Sequence, residues 1–432
     1  MKFPNNFRNT CTSFVIIIVL LDLSHFTSSV EIDSLIELPQ SGFTRNRTPR
    51  KEGFVLHVTA YGAVGDGLHD DTEAFRKAWK VACYSSQRST VIIPEGFTYL
   101  VQPMNFAKCR AEVTLRILGA IIAPKDPEVW LGLNPRKWLY FHGIKKLTLE
   151  GGGTINGMGE IWWARSCKTN KTMPCHHAPT VTLYFLEIDV VFAIFRLAEQ
   201  SCCRLLFFTA PAESPNTDGI HISASSDVKV IDSNIITGDD CISIVSNSSK
   251  VVITGLFCGP GHGISIGSLG KQHEWAEVDD VMVDGAYLSN TQNGVRIKTW
   301  QGGAGYVTRV TFRNVRMENV ANPIIIDQYY CDSPKPCKNQ TSAVHVGKIS
   351  FVGIKGTSAS EEAIRFACSD SSPCQGLYLK DIQLISYTGI TTAFCWQAQG
   401  SSSGFVYPSP CFPTSKSMIK QKPTFNALHY SS

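Results

Sequence analysis

From Val91 onward, short runs of β-branched and aliphatic residues recur with Gly or Asn between them. They fall at 113–117, 146–150, 228–231, 251–254, 281–283, 310–312, 349–351 and 377–379. Apolar and polar positions alternate within most of them, the period of a half-buried strand. Comparable positions Val230, Val252, Val281, Val310, Ile349 and Leu379 step by 22, 29, 29, 39 and 30 residues. An irregular period of this size, with three short strands per repeat, predicts an all-β fold: a right-handed, single-stranded parallel β-helix. Each coil would bury its inward side chains only against its neighbours. A β-sandwich rarely exceeds about 250 residues as one domain, and a propeller would repeat more evenly. A short N-terminal capping helix is expected where an apolar-periodic stretch runs from Asp70 through Ala82. Asp70 and Glu73 match a capping box there, which explains the acidic pair Asp70-Asp71 better than catalysis does.

Composition supports this picture. Of 432 residues, 43% are hydrophobic and 18% charged, enough apolar material for a long core and too little charge for a disordered or coiled-coil chain. The net charge of +4 comes without any Lys/Arg-rich run, which removes nucleic acid as a partner. Length alone would suggest two or three domains, but the strand ladder reads as one elongated domain over residues 54–411. Before it, Lys2 and Arg8 precede an apolar run at 14–21 and the small residues Thr27, Ser28 and Ser29. That order reads as a secretory signal peptide over 1–29, since a membrane span needs about 20 apolar residues. A polar segment (30–53) and a C-terminal tail (412–432) complete the chain. No other segment is long enough to span, so no membrane partner is expected.

Setting aside Cys11 leaves fourteen cysteines, an even number that fits disulfides in a secreted chain. Cys167/Cys175, Cys241/Cys258, Cys331/Cys337 and Cys368/Cys374 are close enough to pair locally. No CxxC pairs recur and no His stands at ligand spacing, so no metal or other cofactor is expected. Sequons at Asn46, Asn170, Asn247 and Asn339 are compatible with glycosylation.

Chemistry concentrates in three blocks: Ser214-Pro-Asn-Thr-Asp-Gly-Ile-His-Ile222, Gly238-Asp-Asp-Cys-Ile-Ser-Ile244 and Gly259-Pro-Gly-His-Gly-Ile-Ser-Ile-Gly267. Asp218, Asp240 and His262 are spaced by 22 and 22. On coils of that length they stack on one face, about 4.8 Å apart per rung. Asp239 and Asp240 are adjacent, so both reach one cleft only if the chain bends, as Gly238 allows. Carboxylates this close cannot all ionise easily; one proton affinity should rise, as an acid/base pair for glycosidic cleavage requires. Arg296 and Lys298 lie two residues apart, hence on one strand face, and imply an anionic substrate such as a uronic-acid polymer; an ordinary solvated face is the alternative. Ca²⁺ binding by Asp218, Asp239 and Asp240 is opposed by the His and the two cations. His221, between Ile220 and Ile222, reads as peripheral.

These blocks, with Arg296-Ile-Lys298, resemble the polygalacturonases (pectinases) of glycoside hydrolase family 28, secreted enzymes of the pectin-lyase-like β-helix fold. The likeness extends through 61–67, 150–157, Trp162-Trp163 and Ile326-Asp-Gln-Tyr-Tyr-Cys331, and is closest to plant cell-wall members. The resemblance implies an inverting hydrolase of polygalacturonate that acts as a monomer. It implies Asp239 as general acid, Asp218 and Asp240 as bases, and His262 as the group tuning the acid. Arg296, Lys298, Tyr330 and Asn216 would bind substrate. The chain departs from the family over 181–208, which is about one coil shorter than usual and poor in turn residues. That departure supports an alternative: a pectin-binding wall protein with impaired catalysis. A rhamnogalacturonan or xylogalacturonan hydrolase is a third reading.

Overall fold

The computed structural model describes residues 53–165 and 207–412, apart from 108, 134–137, 143, 145–146, 333–336 and 388, together with residue 172 and the strand Thr182–Tyr184. The expected signal peptide, nearly all of the polar segment, the Cys167/Cys175 and Cys202-Cys203 positions, most of 181–208 and nearly all of the tail lie outside the described residues. So do the sequons at Asn46 and Asn170.

The protein is a parallel β-helix. Among the described residues its strands form sheets of fifteen, seven, four and three strands. Within the seven-stranded sheet every pairing is parallel. That sheet consists of β1 (Ile220–Ile222), β2 (Ile242–Ile244), β3 (Ile264–Leu269), β4 (Asn293–Trp300), β5 (Asn322–Tyr330), β6 (Glu362–Ala367) and β7 (Thr392–Trp396). Inward side chains stack rung upon rung: Ile220, Ile242, Ile264, Val295, Ile324 and Ile364 face one another in order. All six are buried. In the fifteen-stranded sheet the stack runs through Val228, Val251, Val281, Val310, Ile349 and Leu377.

That stack corrects the expected register at three places. Val230 pairs with Ile253, and Val228 takes the position opposite Val251. Val252 pairs with Met282 on the outer side, and Val251 takes the inward position opposite Val281. At the other end Leu379 pairs with Phe351, and Leu377 with Ile349. A two-residue period cannot tell neighbouring apolar positions apart in Val-Val-Ile; only the partner strand selects which points inward.

Helix α1 (Thr72–Tyr84) buries Phe75, Ala78, Trp79, Ala82 and Cys83, an i, i+3, i+4, i+7 stripe. Trp79 meets Phe106 and Phe141 edge-on at 4.8 and 5.9 Å, packing the helix onto the first coils. Its start differs from the expected capping box. Asp71, not Asp70, is the N-cap, and its side chain makes no capping bond. Asp71 instead accepts the amides of Val64 and Gly65, while Asp70 accepts the Thr72 amide and hydroxyl. Glu73 pairs with Arg76. The two acidic residues thus divide the work between the helix start and the Gly-rich turn before it.

Cys241–Cys258, Cys331–Cys337 and Cys368–Cys374 are paired as expected from proximity. Cys83–Cys109 and Cys395–Cys411 are two further bridges. Phe412, the first residue of the expected tail, stacks on Phe366 at 5.9 Å and so belongs to the packed body. No helix among the described residues is long and apolar enough to cross a membrane.

Phe351 is fully buried and stacks between Phe312 and Phe366 at 5.5 and 5.7 Å. Phe351→Ala is expected to lower unfolding stability by roughly 3–5 kcal/mol, read from urea denaturation. Ser350→Ala, one position along on the outer side, should stay within about 0.5 kcal/mol.

Candidate active site

The site follows from the alternation that builds the core. If Ile220, Ile242 and Ile264 point inward, the residues after them point out, and His221, Ser243 and Ser265 form a second ladder in the same register. Just before each of these strands the chain delivers Asp218, Asp240 and His262. Asp239 and Asp240 reach the site from a bend at Gly238 and Asp239 rather than from a straight strand. Gly238 is needed there for close approach: a Cβ would lie 2.2 Å from the Ser214 carbonyl oxygen.

The two cations and one carboxylate form a buried cluster. Arg296 Nη2 donates to Asp240 Oδ1 at 2.8 Å and Lys298 Nζ to Oδ2 at 2.8 Å. Ser265 Oγ donates to Oδ1 at 2.7 Å and accepts from Arg296 Nε at 2.9 Å. Asp240, Arg296 and Lys298 are 2%, 2% and 7% exposed, so the solvated-face reading of the two cations fails. A guanidinium and an ammonium are held against one carboxylate, and the cluster keeps one positive charge in excess.

Beside it, Asp239 Oδ1 accepts from the Asp240 amide at 2.8 Å and lies 2.9 Å from His262 Nδ1. Burial pushes the Asp239 carboxyl up, but the His262 hydrogen bond and charge, the Lys298 charge and the Asp240 amide outweigh it and hold it at about 2. Asp218 goes the other way. Burial raises it, with Asp239 and Asp240 adding like charge, against hydrogen bonds from His221 and Ser243. Ser243 Oγ donates to Asp218 Oδ2 at 2.5 Å. Neighbouring carboxylates therefore differ in proton affinity, the division that acid/base chemistry uses.

Tyr330 lies beside this cluster, with Lys298 Nζ 5.4 Å from its ring centre and Trp300 edge-on at 5.3 Å. Burial raises its hydroxyl well above the usual phenol range. Asn216 is exposed on the turn before Asp218, in the left-handed region at φ 55°. It is not drawn into the hydrogen-bonded cluster.

His221 is a correction. It is not peripheral: its Nδ1 lies 2.7 Å from Ser243 Oγ and 3.6 Å from Asp218 Oδ2. Ser243 and Ser265 were also missed, although each sits at the centre of an Ile-Ser-Ile triplet spaced by 22, the same signal that aligned Asp218, Asp240 and His262. Asp239, Asp240 and His262 offer ligand atoms within 4.8 Å of one another, the arrangement closest to a cation site among the described residues. Both oxygens of Asp240 already hold cationic side chains, so this donor set fits a metal ion poorly.

A model of the glycosyl hydrolases family 28 matches residues 83–404. The chain belongs to this family. A glycosyl hydrolase of family 28 is thus the owner of the carboxylate cluster. Among its relatives, a probable polygalacturonase of Arabidopsis thaliana is 51% identical, covering 95% of each chain. A polygalacturonase of Persea americana is 47% identical, covering 78% of this chain and 75% of its own. Among solved structures, the hyperthermoactive exopolygalacturonase of Thermotoga maritima superposes with a TM-score of 0.62 at 17% identity, over 81% of this chain and 90% of its own. The endo-xylogalacturonan hydrolase of Aspergillus tubingensis gives 0.61 at 21% identity, over 81% and 100%. At those identities the structures share the fold.

Two outcomes are expected from the charges. Asp240→Asn removes the carboxylate that both Arg296 and Lys298 hold and should cost about 3–5 kcal/mol. Adding Lys298→Met to it should recover part of that loss in the same urea titration. Asp239 sits below its unfolded value of about 3.9, so its ionised form favours the fold. That contribution is complete above about pH 4 and lost as pH falls to about 2. His262→Asn should diminish it, narrowing its stability difference from the wild type as pH falls through that window.

Proposed function

We propose that the protein is a secreted plant-type polygalacturonase that hydrolyses α-1,4 linkages between galacturonate units of pectin, with inversion, in the cell wall. The observation that carries this reading is the pairing of Asp240 with Arg296 and Lys298 beside the Asp239 and Asp218 carboxyls, in a family 28 chain that is 47–51% identical to proteins named polygalacturonases. Five disulfides among the described residues fit an oxidising compartment.

Role by role, water attacks the anomeric carbon and gives its proton to a carboxylate. Asp218 is the stronger acceptor, because burial raises its proton affinity, whereas both Asp240 oxygens are occupied by cations. Asp239 protonates the departing glycosidic oxygen as the C–O bond breaks, and a new reducing end results. Its low value in the free protein makes it a strong acid once protonated. The Asp239–His262 hydrogen bond gives that proton a route to the carboxyl, and a bound polyanion that excludes water raises the carboxyl from its low value. Arg296 and Lys298 orient Asp240 and supply the positive field for a uronate carboxylate.

Purified protein should release reducing ends from polygalacturonate, and Asp239→Asn should reduce that release by roughly 10²–10⁴-fold while pectate binding persists. An aryl galacturonide with a good leaving group needs little acid, so Asp239→Asn should retain its cleavage while Asp218→Asn loses it. The reverse pattern would exchange their roles. Retention at the anomeric carbon, followed by NMR, would overturn inversion. Binding without any release would leave the impaired wall protein, and preferential cleavage of branched galacturonan would move the substrate to that class.

A further inference from the structure

Beyond the reacting centre the ladder of side chains continues. In register, Ser265 faces Arg296, Arg296 faces Ile325, Ile325 faces Arg365, and Arg365 faces Phe394. The neighbouring row runs Lys298, Asp327, Ala367 and Trp396. Ile325 and Ala367 are buried yet stand apart from the central core cluster, as residues on the outer row should. One face of the sheet thus leads from the Asp240 cluster across an apolar step to a second guanidinium with two aromatic rings beyond it.

We propose that Arg365, with Phe394 and Trp396, forms a distal subsite that binds a uronate unit of the same polymer. This rests on the function proposed above and names a further specificity residue for it. Two rungs of about 4.8 Å put Arg365 about 10 Å from Arg296 along the groove. An extended glycan advances by roughly one rung per sugar, so the two cations address carboxylates two units apart. Asp327 sits between the arginines; burial pushes its carboxyl up, while the Tyr329 amide and the Arg365 and Arg296 charges pull it down.

The local geometry holds Arg365 ready. Nη1 donates to Glu362 Oε1 at 2.8 Å, and the guanidinium carbon lies 4.9 Å over the Phe394 ring. Nε has no protein acceptor among the described residues although it is shielded from solvent. A donor left unpaired costs stability, and the partly exposed pair with Glu362, 21% and 36% exposed, returns little. Turned away from Glu362, the guanidinium would bring that donor out to a carboxylate in the bidentate manner of Arg–carboxylate pairs. Trp396 is fixed by its indole N–H donating to Asp370 Oδ1 at 3.0 Å, and Tyr329 donates to the other oxygen at 3.2 Å. A ring so fixed offers a flat face for the apolar side of a pyranose.

Length dependence tests the subsite. Binding of di- and hexagalacturonate is measured by titration calorimetry for the wild type, Arg365→Gln and Glu362→Gln, with melting temperatures recorded alongside. Arg365→Gln should weaken hexamer binding roughly tenfold and leave the dimer unchanged. Glu362→Gln, which frees the guanidinium, should tighten the hexamer only. Equal effects on both lengths, or melting shifts without any length-dependent change, would reduce the pair to a structural one and overturn the proposal. Because binding is read directly, a wild type that binds the hexamer more tightly than the dimer but releases no reducing ends would defeat the proposed hydrolysis while upholding the subsite. A wild type that binds neither would defeat the subsite.

Discussion

The in-register stacking of inward aliphatic side chains is the constraint on which everything else rests. No single coil carries enough apolar surface to fold alone, so Ile220, Ile242, Ile264, Val295, Ile324 and Ile364 are buried only because each has the next beneath it. Backbone hydrogen bonds fix the step between them at about 4.8 Å. Side chains alternate, so the outer row inherits the same step. The site obtains its precision from the core: a one-residue slip in β2 would bury Ser243 and eject Ile242 and Ile244.

The charged cluster around Asp240 shows what that rigidity is used for. Bringing a carboxylate, a guanidinium and an ammonium out of water is costly, and a well-packed apolar trio would be at least as stable. What the cluster provides is orientation. Ser265 pins both Asp240 and Arg296, leaving the cations little freedom, and the field they project is set before any ligand arrives. The contrast between Asp239 and Asp218 has the same origin. One is surrounded by donors and positive charge, the other by burial and like charge.

Much of this was legible in the sequence. The spacing of 22 between Asp218, Asp240 and His262 carried the register of three coils, and the β1–β2–β3 pairings reproduce it residue for residue. Arg296 and Lys298 were found because two residues apart on a strand means one face. The failures are local. Val252 could not be told from Val251, since both suit an inward position. His221 was discounted because its chemistry depends on Ser243, a residue a full coil away that is unremarkable by type. The Asp240–Arg296–Lys298 cluster was read as separate acid and substrate-binding groups; that they hold one another emerges only when β2, β3 and β4 are laid side by side. Arg365 carries no motif at all, and only the ladder through Ile325 connects it to Arg296.

Helix α1 has a consequence of another kind. A stack of parallel coils has no natural stopping point: its terminal rung presents the same unpaired amides and carbonyls, and the same apolar interior, that each inner rung offers to the next. Copies meeting end to end at such a surface would associate head to tail, and that symmetry produces open filaments rather than closed oligomers. By laying Phe75, Ala78 and Trp79 over the first coils and tying its end to Cys109, the helix makes that end unlike any inner rung. A fold assembled by repetition is in this way given a finite length.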